Sequence, residues 1–338
     1  MLFLRTAGSS TIGLGHIFRS IAVASSLRDL ADVNPLFVLN DDSQAKSLIE
    51  KNGFSSVTVD GALASTEFIG GLVKSCSNGS HPTCYVDMKT DVSEEIRSWK
   101  KFDTRVILMD NLTPAHELAD LTVLPVPYAH PSASHSGEKR IVSGREWIPV
   151  AARFAQERLR LPAFGERNSV LVTMGGADPN RLTLKVMSAL ATVKGVSIKV
   201  VLGFAMKFKE EARRLGKLLG PQSEIIENTD HIELLMREAG LAITAVGTTI
   251  YELAALGVPT VILSNYTADR ADEVALGMLG WIVPLGYHLN VSELEIERTV
   301  RTLWKDAGKR ESMSSAALST IDGNGAERIA RELIKFIS

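Results

Sequence analysis

His16 is the residue in this sequence best suited to moving a proton, because an imidazole gains and loses one near neutral pH. It stands in Gly13-Leu14-Gly15-His16-Ile17-Phe18-Arg19, behind an apolar start (Met1 to Leu4) and a stretch of mostly small residues from Thr6. Gly13 and Gly15 let the backbone come close to a ligand. A helix opening here offers unpaired N–H groups and the positive end of its dipole to an anion, which favours phosphate. A base beside such a site, with Arg19 one turn along, suggests chemistry there. Gly-x-Gly after a strand is also a common loop, and the third glycine of the dinucleotide fingerprint is missing, with Phe18 or Arg19 in its place.

Two further turns look made for a ligand. Gly175-Gly176-Ala177-Asp178 precedes one helix start, and Ala245-Val246-Gly247-Thr248-Thr249 precedes another, where hydroxyls and free N–H groups suit a diphosphate. Glu252, one turn inside the second helix, fits two roles: acceptor for a ribose diol, or a solvated first-turn acid that complements the dipole. Cys76, His81 and Cys84 have three potential zinc ligands between them, but no fourth is evident and the Cys-x-x-Cys spacing is absent. The two cysteines are expected to be reduced thiols, with no metal.

The elements that must position these residues alternate. Strands are expected at 1–5, 36–39, 56–59, 83–86, 105–109 and 121–124, with helices near 16–30, 43–52, 64–75 and 91–101. Such alternation implies a parallel, doubly wound sheet that binds ligands at the carboxyl ends of its strands. Asn40, Asp41, Asp42, Asp87, Asp110 and Asn111 fall at those ends, where each also fits a cap or turn. Residues 129–149 are rich in Pro, Ser, His and Gly and suit an interdomain connection. The alternation then resumes, with strands at 169–174, 197–202, 224–227, 241–244 and 260–263 and helices near 180–193, 207–219, 231–238, 249–256 and 270–278. From 291 to 338 the pattern is helical, broken near Asp322-Gly323-Asn324-Gly325.

At 338 residues the chain suits two domains, and 45% hydrophobic with 22% charged residues describes an ordinary globular protein. A net charge of −2 gives nucleic acid no support as a partner. No apolar run reaches the length of a membrane span and no signal peptide opens the sequence, so a cytoplasmic location is expected.

Three motifs carry a family resemblance: Gly13-x-Gly15-His16-x-x-Arg19, Gly175-Gly176-Ala177-Asp178, and Gly247-Thr248-Thr249-x-x-Glu252-Leu253-Ala254-Ala255-Leu256-Gly257-Val258-Pro259. Together they resemble the nucleotide-sugar hydrolases of pseudaminic acid biosynthesis and the related spore-coat polysaccharide glycosyltransferases. More distantly they are similar to the N-acetylglucosaminyltransferase that makes lipid II. The likeness covers most of the chain, including residues 144–154. It implies an α/β fold of the GT-B type, two Rossmann-like doubly wound domains with a cleft between them, the C-terminal one holding UDP. It also implies that His16 activates water against the anomeric carbon and that UDP is released. No cofactor is implied, and no Asp-x-Asp metal motif is present. The chain departs from the family on the sugar side. Met88-Lys89 follows Asp87 where the hydrolases have His-Tyr, and Ala268-Asp269-Arg270-Ala271-Asp272 replaces an Asn-Gln or Gln-Gln pair.

The resulting expectation is an N-terminal domain over 1–145 bearing His16, a nucleotide-sugar domain over 146–320 and a C-terminal helix over 321–338. The substrate is a UDP-sugar, cleaved by water. Gly13, Gly15 and Arg19 would meet the diphosphate or sugar, Gly175, Gly176, Asp178, Gly247, Thr248 and Thr249 the phosphates, and Glu252 the ribose, with Asp269 and Arg270 nearby. The alternatives are transfer of the sugar to a glycan or lipid hydroxyl, a non-catalytic nucleotide-sugar-binding subunit, or an NAD-dependent oxidoreductase drawing on Gly13-x-Gly15 and Asp41.

Overall fold

Apolar runs too continuous to alternate between a wet and a dry face have to be covered on both sides, as parallel strands are. The computed structural model, which describes residues 1–8, 13–59, 67–68, 70–71, 81–127, 140–227 and 229–337, contains two such sheets. They lie in two compact units, one of Met1–Ala152 with Asn324–Ser338, the other of Arg153–Gly323.

In the first unit β1 (Leu2–Thr6), β2 (Leu36–Leu39), β3 (Ser56–Thr58), β4 (Thr83–Asp87), β5 (Arg105–Met109), β6 (Leu121–Leu124) and β7 (Arg140–Ser143) form one parallel sheet. Its order is β3-β2-β1-β4-β5-β6-β7. Helices α1 (Gly15–Ala31), α2 (Ser43–Lys51) and α3 (Ser93–Lys100) connect the strands.

The second unit repeats the plan. Strands β8 (Ser169–Thr173), β9 (Ser197–Leu202), β10 (Glu224–Glu227), β11 (Ala239–Ala245), β12 (Thr260–Ser264) and β13 (Ile282–Tyr287) take the order β10-β9-β8-β11-β12-β13. Helix α4 (Ala152–Arg158) leads in. The others are α5 (Leu182–Leu190), α6 (Lys209–Gly216), α7 (Ile232–Arg237), α8 (Thr249–Ala255), α9 (Arg270–Gly277), α10 (Glu293–Lys305) and α11 (Ala307–Thr320). The chain then returns to the first unit as α12 (Gly325–Ile337).

Two clusters of buried apolar side chains sandwich the first sheet. On one face Leu2, Leu4, Tyr85 and Ile107 pack with Ile17, Ile21 and Ala24 of α1 and with Ile329, Ala330 and Leu333 of α12. On the other, Phe3, Val38, Cys84 and Val106 pack with Ile96 and Trp99 of α3. Helices α1 and α3 therefore cover opposite faces, and the loops leaving the adjacent strands β1 and β4 diverge. That divergence makes the crevice in which doubly wound sheets bind ligands. In the second unit the same switch of direction falls between β8 and β11.

Where the elements differ from expectation, the reason is local. Residues 140–143, expected as part of an extended connection, add β7 to the sheet edge beside β6. Strand β13 is not expected, because Pro284 and Gly286 interrupt it. As an edge strand it tolerates both, with a register shift opposite Ile262/Leu263. The expected helix at 64–75 lies largely outside the described residues. Residues 146–152 cluster with the first unit, and α12, expected to stand apart, completes that unit's core.

Candidate active site

His16 lies in the first turn of α1, directly after the loop that leaves β1. Leu14 offers no capping side chain and the first turn holds no acid, so among the described residues nothing neutralises the helix N-terminus. Gly13 has φ +82, a left-handed backbone that suits glycine, and a Cβ added there would meet nothing within 4 Å. Residues 9–12 of the expected turn lie outside the described residues.

Asp87 ends β4, and in the parallel register it faces Thr6 at the end of β1. Its carboxylate is fully buried and collects four donors. Arg19 Nε donates to Oδ2 at 2.6 Å and Nη2 to Oδ1 at 2.5 Å, Ser20 Oγ donates to Oδ2 at 3.3 Å, and His16 Nδ1 lies 2.6 Å from Oδ1. Burial alone would raise Asp87, but Arg19 and His16 overcome it and hold the carboxyl at about 2. Asp87 is therefore ionised at any ordinary pH. An ionised carboxylate 2.6 Å from Nδ1 requires a proton between them, so Nδ1–H donates and Nε2 is left as the basic nitrogen. This is the arrangement of a general base held in one tautomer by a buried acid.

Arg19, expected as a substrate contact, does something else. It is buried, with Nε and Nη2 on Asp87 and Nη1 donating to Asp110 Oδ2 at 3.0 Å. Burial opposes its charge, yet the two carboxylates more than compensate, so its pKa lies above the usual guanidinium range. Each of its three nitrogens donates to a carboxylate, so the guanidinium orients Asp87 and joins it to Asp110. Asp87 and Asp110 were visible in sequence only as polar strand ends. Strand order was the missing signal, since it puts β4 beside β1 and β5 next.

In the second unit Asp178 is likewise used internally. Its two carboxylate oxygens accept from the N–H groups of Leu182 and Thr183, both at 2.8 Å, capping α5. Each oxygen thus holds one helix N–H, a capping role that the sequence did not single out. Gly175 has φ +80, and the turn is braced by a residue not foreseen. A Cβ on Gly203, just past β9, would lie 2.3 Å from the carbonyl oxygens of both Gly175 and Gly176.

The turn after β11 is less committed. Among the described residues the N–H groups of Gly247, Thr248 and Thr249 have no partner, and Thr248 makes no side-chain cap. Glu252 follows in α8, half-buried, and its side chain has no hydrogen bond among the described residues. Burial pushes its carboxyl up to about 7, opposed by Arg153 and reinforced by Glu233. Arg153 Nε lies 3.2 Å from Glu233 Oε2, and His231 Nδ1 3.0 Å from Oε1. Of the two roles the sequence leaves open, a fully solvated first-turn acid fits less well, since this carboxyl is half-buried. Asp269 Oδ2 accepts from Tyr266 N at 3.0 Å, and Arg270 is exposed with no ion pair among the described residues. Neither is drawn into this cluster.

Zinc finds no site at the cysteine that is described. Cys84 is buried in β4, while His81 is exposed and pairs with Asp103 at 2.7 Å. Cys76 lies outside the described residues. Among the described residues no group of His, Cys, Asp or Glu could hold a metal ion, and no helix is long and apolar enough to cross a membrane.

No family model matches the chain. It is 24% identical over 322 residues to the spore coat polysaccharide biosynthesis protein SpsG of Bacillus subtilis, covering 94% of this chain and 93% of that one. An uncharacterized protein of Methanocaldococcus jannaschii is 26% identical over 283 residues, 78% of this chain, which spans only 56% of that protein's length. A Helicobacter pylori protein named as pseudaminic acid cytidylyltransferase and UDP-2,4-diacetamido-2,4,6-trideoxy-beta-L-altropyranose hydrolase is 30% identical over 138 residues. That match takes in 40% of this chain and 24% of that protein. Among solved structures, MurG of Acinetobacter baumannii superposes with a TM-score of 0.71 at 14% identity over 99% of both chains. Anabaena HepE in complex with UDP gives 0.60 at 16% identity, covering 99% of this chain and 100% of that one. The resemblance carried by the motifs is borne out, and the fold is GT-B. The chain is glycosyltransferase-like in its fold.

Proposed function

We propose that this chain is an enzyme that cleaves a UDP-linked sugar with water. His16 acts as the general base and the second unit holds the nucleotide. The observation that carries the reading is the bond from His16 Nδ1 to the ionised Asp87, which leaves Nε2 free to take a proton. As the water oxygen bonds to the anomeric carbon, its proton passes to Nε2 and the bond from that carbon to the diphosphate oxygen breaks. UDP leaves with the electron pair. One base suffices because a nucleoside diphosphate is already a good leaving group. The free N–H groups of Gly247 to Thr249 suit its phosphates, and Glu252, lacking a hydrogen-bond partner, suits the ribose hydroxyls. UDP in the complex with HepE, a protein of the same fold, supports the choice of nucleotide.

A second reading keeps the donor and replaces water by a glycan or lipid hydroxyl. It is favoured by the match to SpsG along nearly its whole length, whereas the protein named as a hydrolase matches only part of this chain. A purely binding subunit is disfavoured by the intact base. His16→Ala is expected to keep UDP binding and to lower UDP release at least a hundredfold, general bases being worth about 10²–10⁴. Turnover within about tenfold of the parent would defeat the base assignment. UDP release from a panel of UDP-hexoses and UDP-N-acetylhexosamines without any added acceptor separates hydrolysis from transfer.

A further inference from the structure

The ionised groups packed behind His16 do not cancel. Arg19 comes from α1, as His16 does, Asp87 ends β4, and Asp110 follows β5. Tyr85, also on β4, lies close enough to couple electrostatically to Asp87, Arg19 and Asp110, and its buried hydroxyl has no hydrogen-bond partner among the described residues. One guanidinium is shared by two carboxylates, so the cluster carries one net negative charge. Without Asp110 it would be neutral, and the whole charge of Arg19 would fall on Asp87, with Nη2 only 3.0 Å from His16 Nδ1.

Asp110 is kept in place against a backbone preference. Its φ of +54 lies in the left-handed region, a conformation that costs a non-glycine residue of order 1 kcal/mol or more and gathers at functional sites. Its N–H remains bonded to Val123 O at 2.9 Å, so the sheet fixes it from below. The next residue, Asn111, donates to Met88 O at 2.6 Å and to Thr90 O at 2.9 Å, tying the loop after β5 to the loop after β4. A strained position so firmly held, with its carboxylate on the arginine that grips Asp87, has a use beyond folding.

We propose that Asp110 is a positioning residue whose charge, acting through Arg19, stabilises the imidazolium that forms when His16 Nε2 takes the proton. The proposal rests on the reading of His16 as the base. A proton on Nε2 turns the ring into a cation. The attraction of Asp87 for that cation is largely offset by Arg19, and the second carboxylate restores it.

Asp110→Asn isolates the charge. The amide keeps the size and an oxygen for Arg19 Nη1, and asparagine tolerates left-handed backbone. The measurement is an NMR pH titration of ¹³C-labelled histidine, the His16 resonance being identified by its loss in His16→Gln. The His16 midpoint in Asp110→Asn is expected about one pH unit below that of the parent, the lower end of the effect of a nearby opposite charge. Asp110→Glu, which keeps the charge, is expected to retain the parental midpoint. An unmoved midpoint in Asp110→Asn, or the same fall in Asp110→Glu, overturns the proposal. The titration needs no turnover, so its failure is distinct from that of the base assignment, which His16→Ala decides.

Discussion

Glu252→Gln is expected to stabilise the fold and weaken nucleotide binding, with a pH dependence fixed by the site. Burial pushes this carboxyl from its ordinary 4.5 up to about 7. The native protein therefore holds a proton that the unfolded chain has released, and the folded state is penalised as pH rises above 4.5, fully so above 7. That rise corresponds to about 3 kcal/mol at about 1.4 kcal/mol per pH unit. Because the side chain is only half-buried, water reduces the penalty to about 1–2 kcal/mol. Glutamine does not ionise and removes it. At about 2–4 °C per kcal/mol for a unit of this size, the variant should melt roughly 2–8 °C above the parent at pH 8. At pH 4.5 the two should melt together. Isothermal calorimetry at pH 8 should show UDP binding weakened about tenfold, since an amide accepts the ribose hydroxyls without the help of a charge. Parental affinity for UDP should itself fall between pH 8 and pH 6. Melting curves offset equally at both pH values would refute the electrostatic argument, and unchanged UDP affinity would remove Glu252 from the nucleotide site.

Asp87→Asn should unfold at least about 3 kcal/mol more easily in urea, because it strips a buried guanidinium of its main partner. In whatever fraction stays folded, UDP release should drop about 10³–10⁴-fold, the scale seen when a catalytic histidine loses the acid that fixes its tautomer; parental turnover would contradict the dyad. Gly203→Ala must displace the Gly175-Gly176 turn, at a cost of about 1–3 kcal/mol in thermal melts. A variant as stable as the parent would show that the turn gives way freely.

The interior strands were legible from short apolar stretches bounded by turns, and Arg105–Met109, Leu121–Leu124 and Ser197–Leu202 fall where the pattern puts them. Two edge strands were not, since Arg140–Ser143 is short and Pro284 reads as a break, whereas the edge strands Ser56–Thr58 and Glu224–Glu227 were. His16 stood out by its place after a glycine turn. Its partners did not, because Asp87 lies 71 residues away in sequence and only strand order makes them neighbours. For Asp178 and Arg19 the residue type was informative but the use was not. A carboxylate before a helix and an arginine one turn into another serve folding or binding equally well until their hydrogen bonds are counted.

The return of α12 to the first unit bears on how the protein is made. Residues 153–323 contain everything their own sheet needs, so they can fold as soon as they emerge from the ribosome. The unit translated first cannot. The face of α1 that Ile329, Ala330 and Leu333 cover stays bare until residues 324–337 have been synthesised. The helix bearing His16 is thus among the earliest segments to leave the exit tunnel and among the last to be sealed. A deletion within residues 324–337 should disturb the His16–Asp87 pair, far away in sequence.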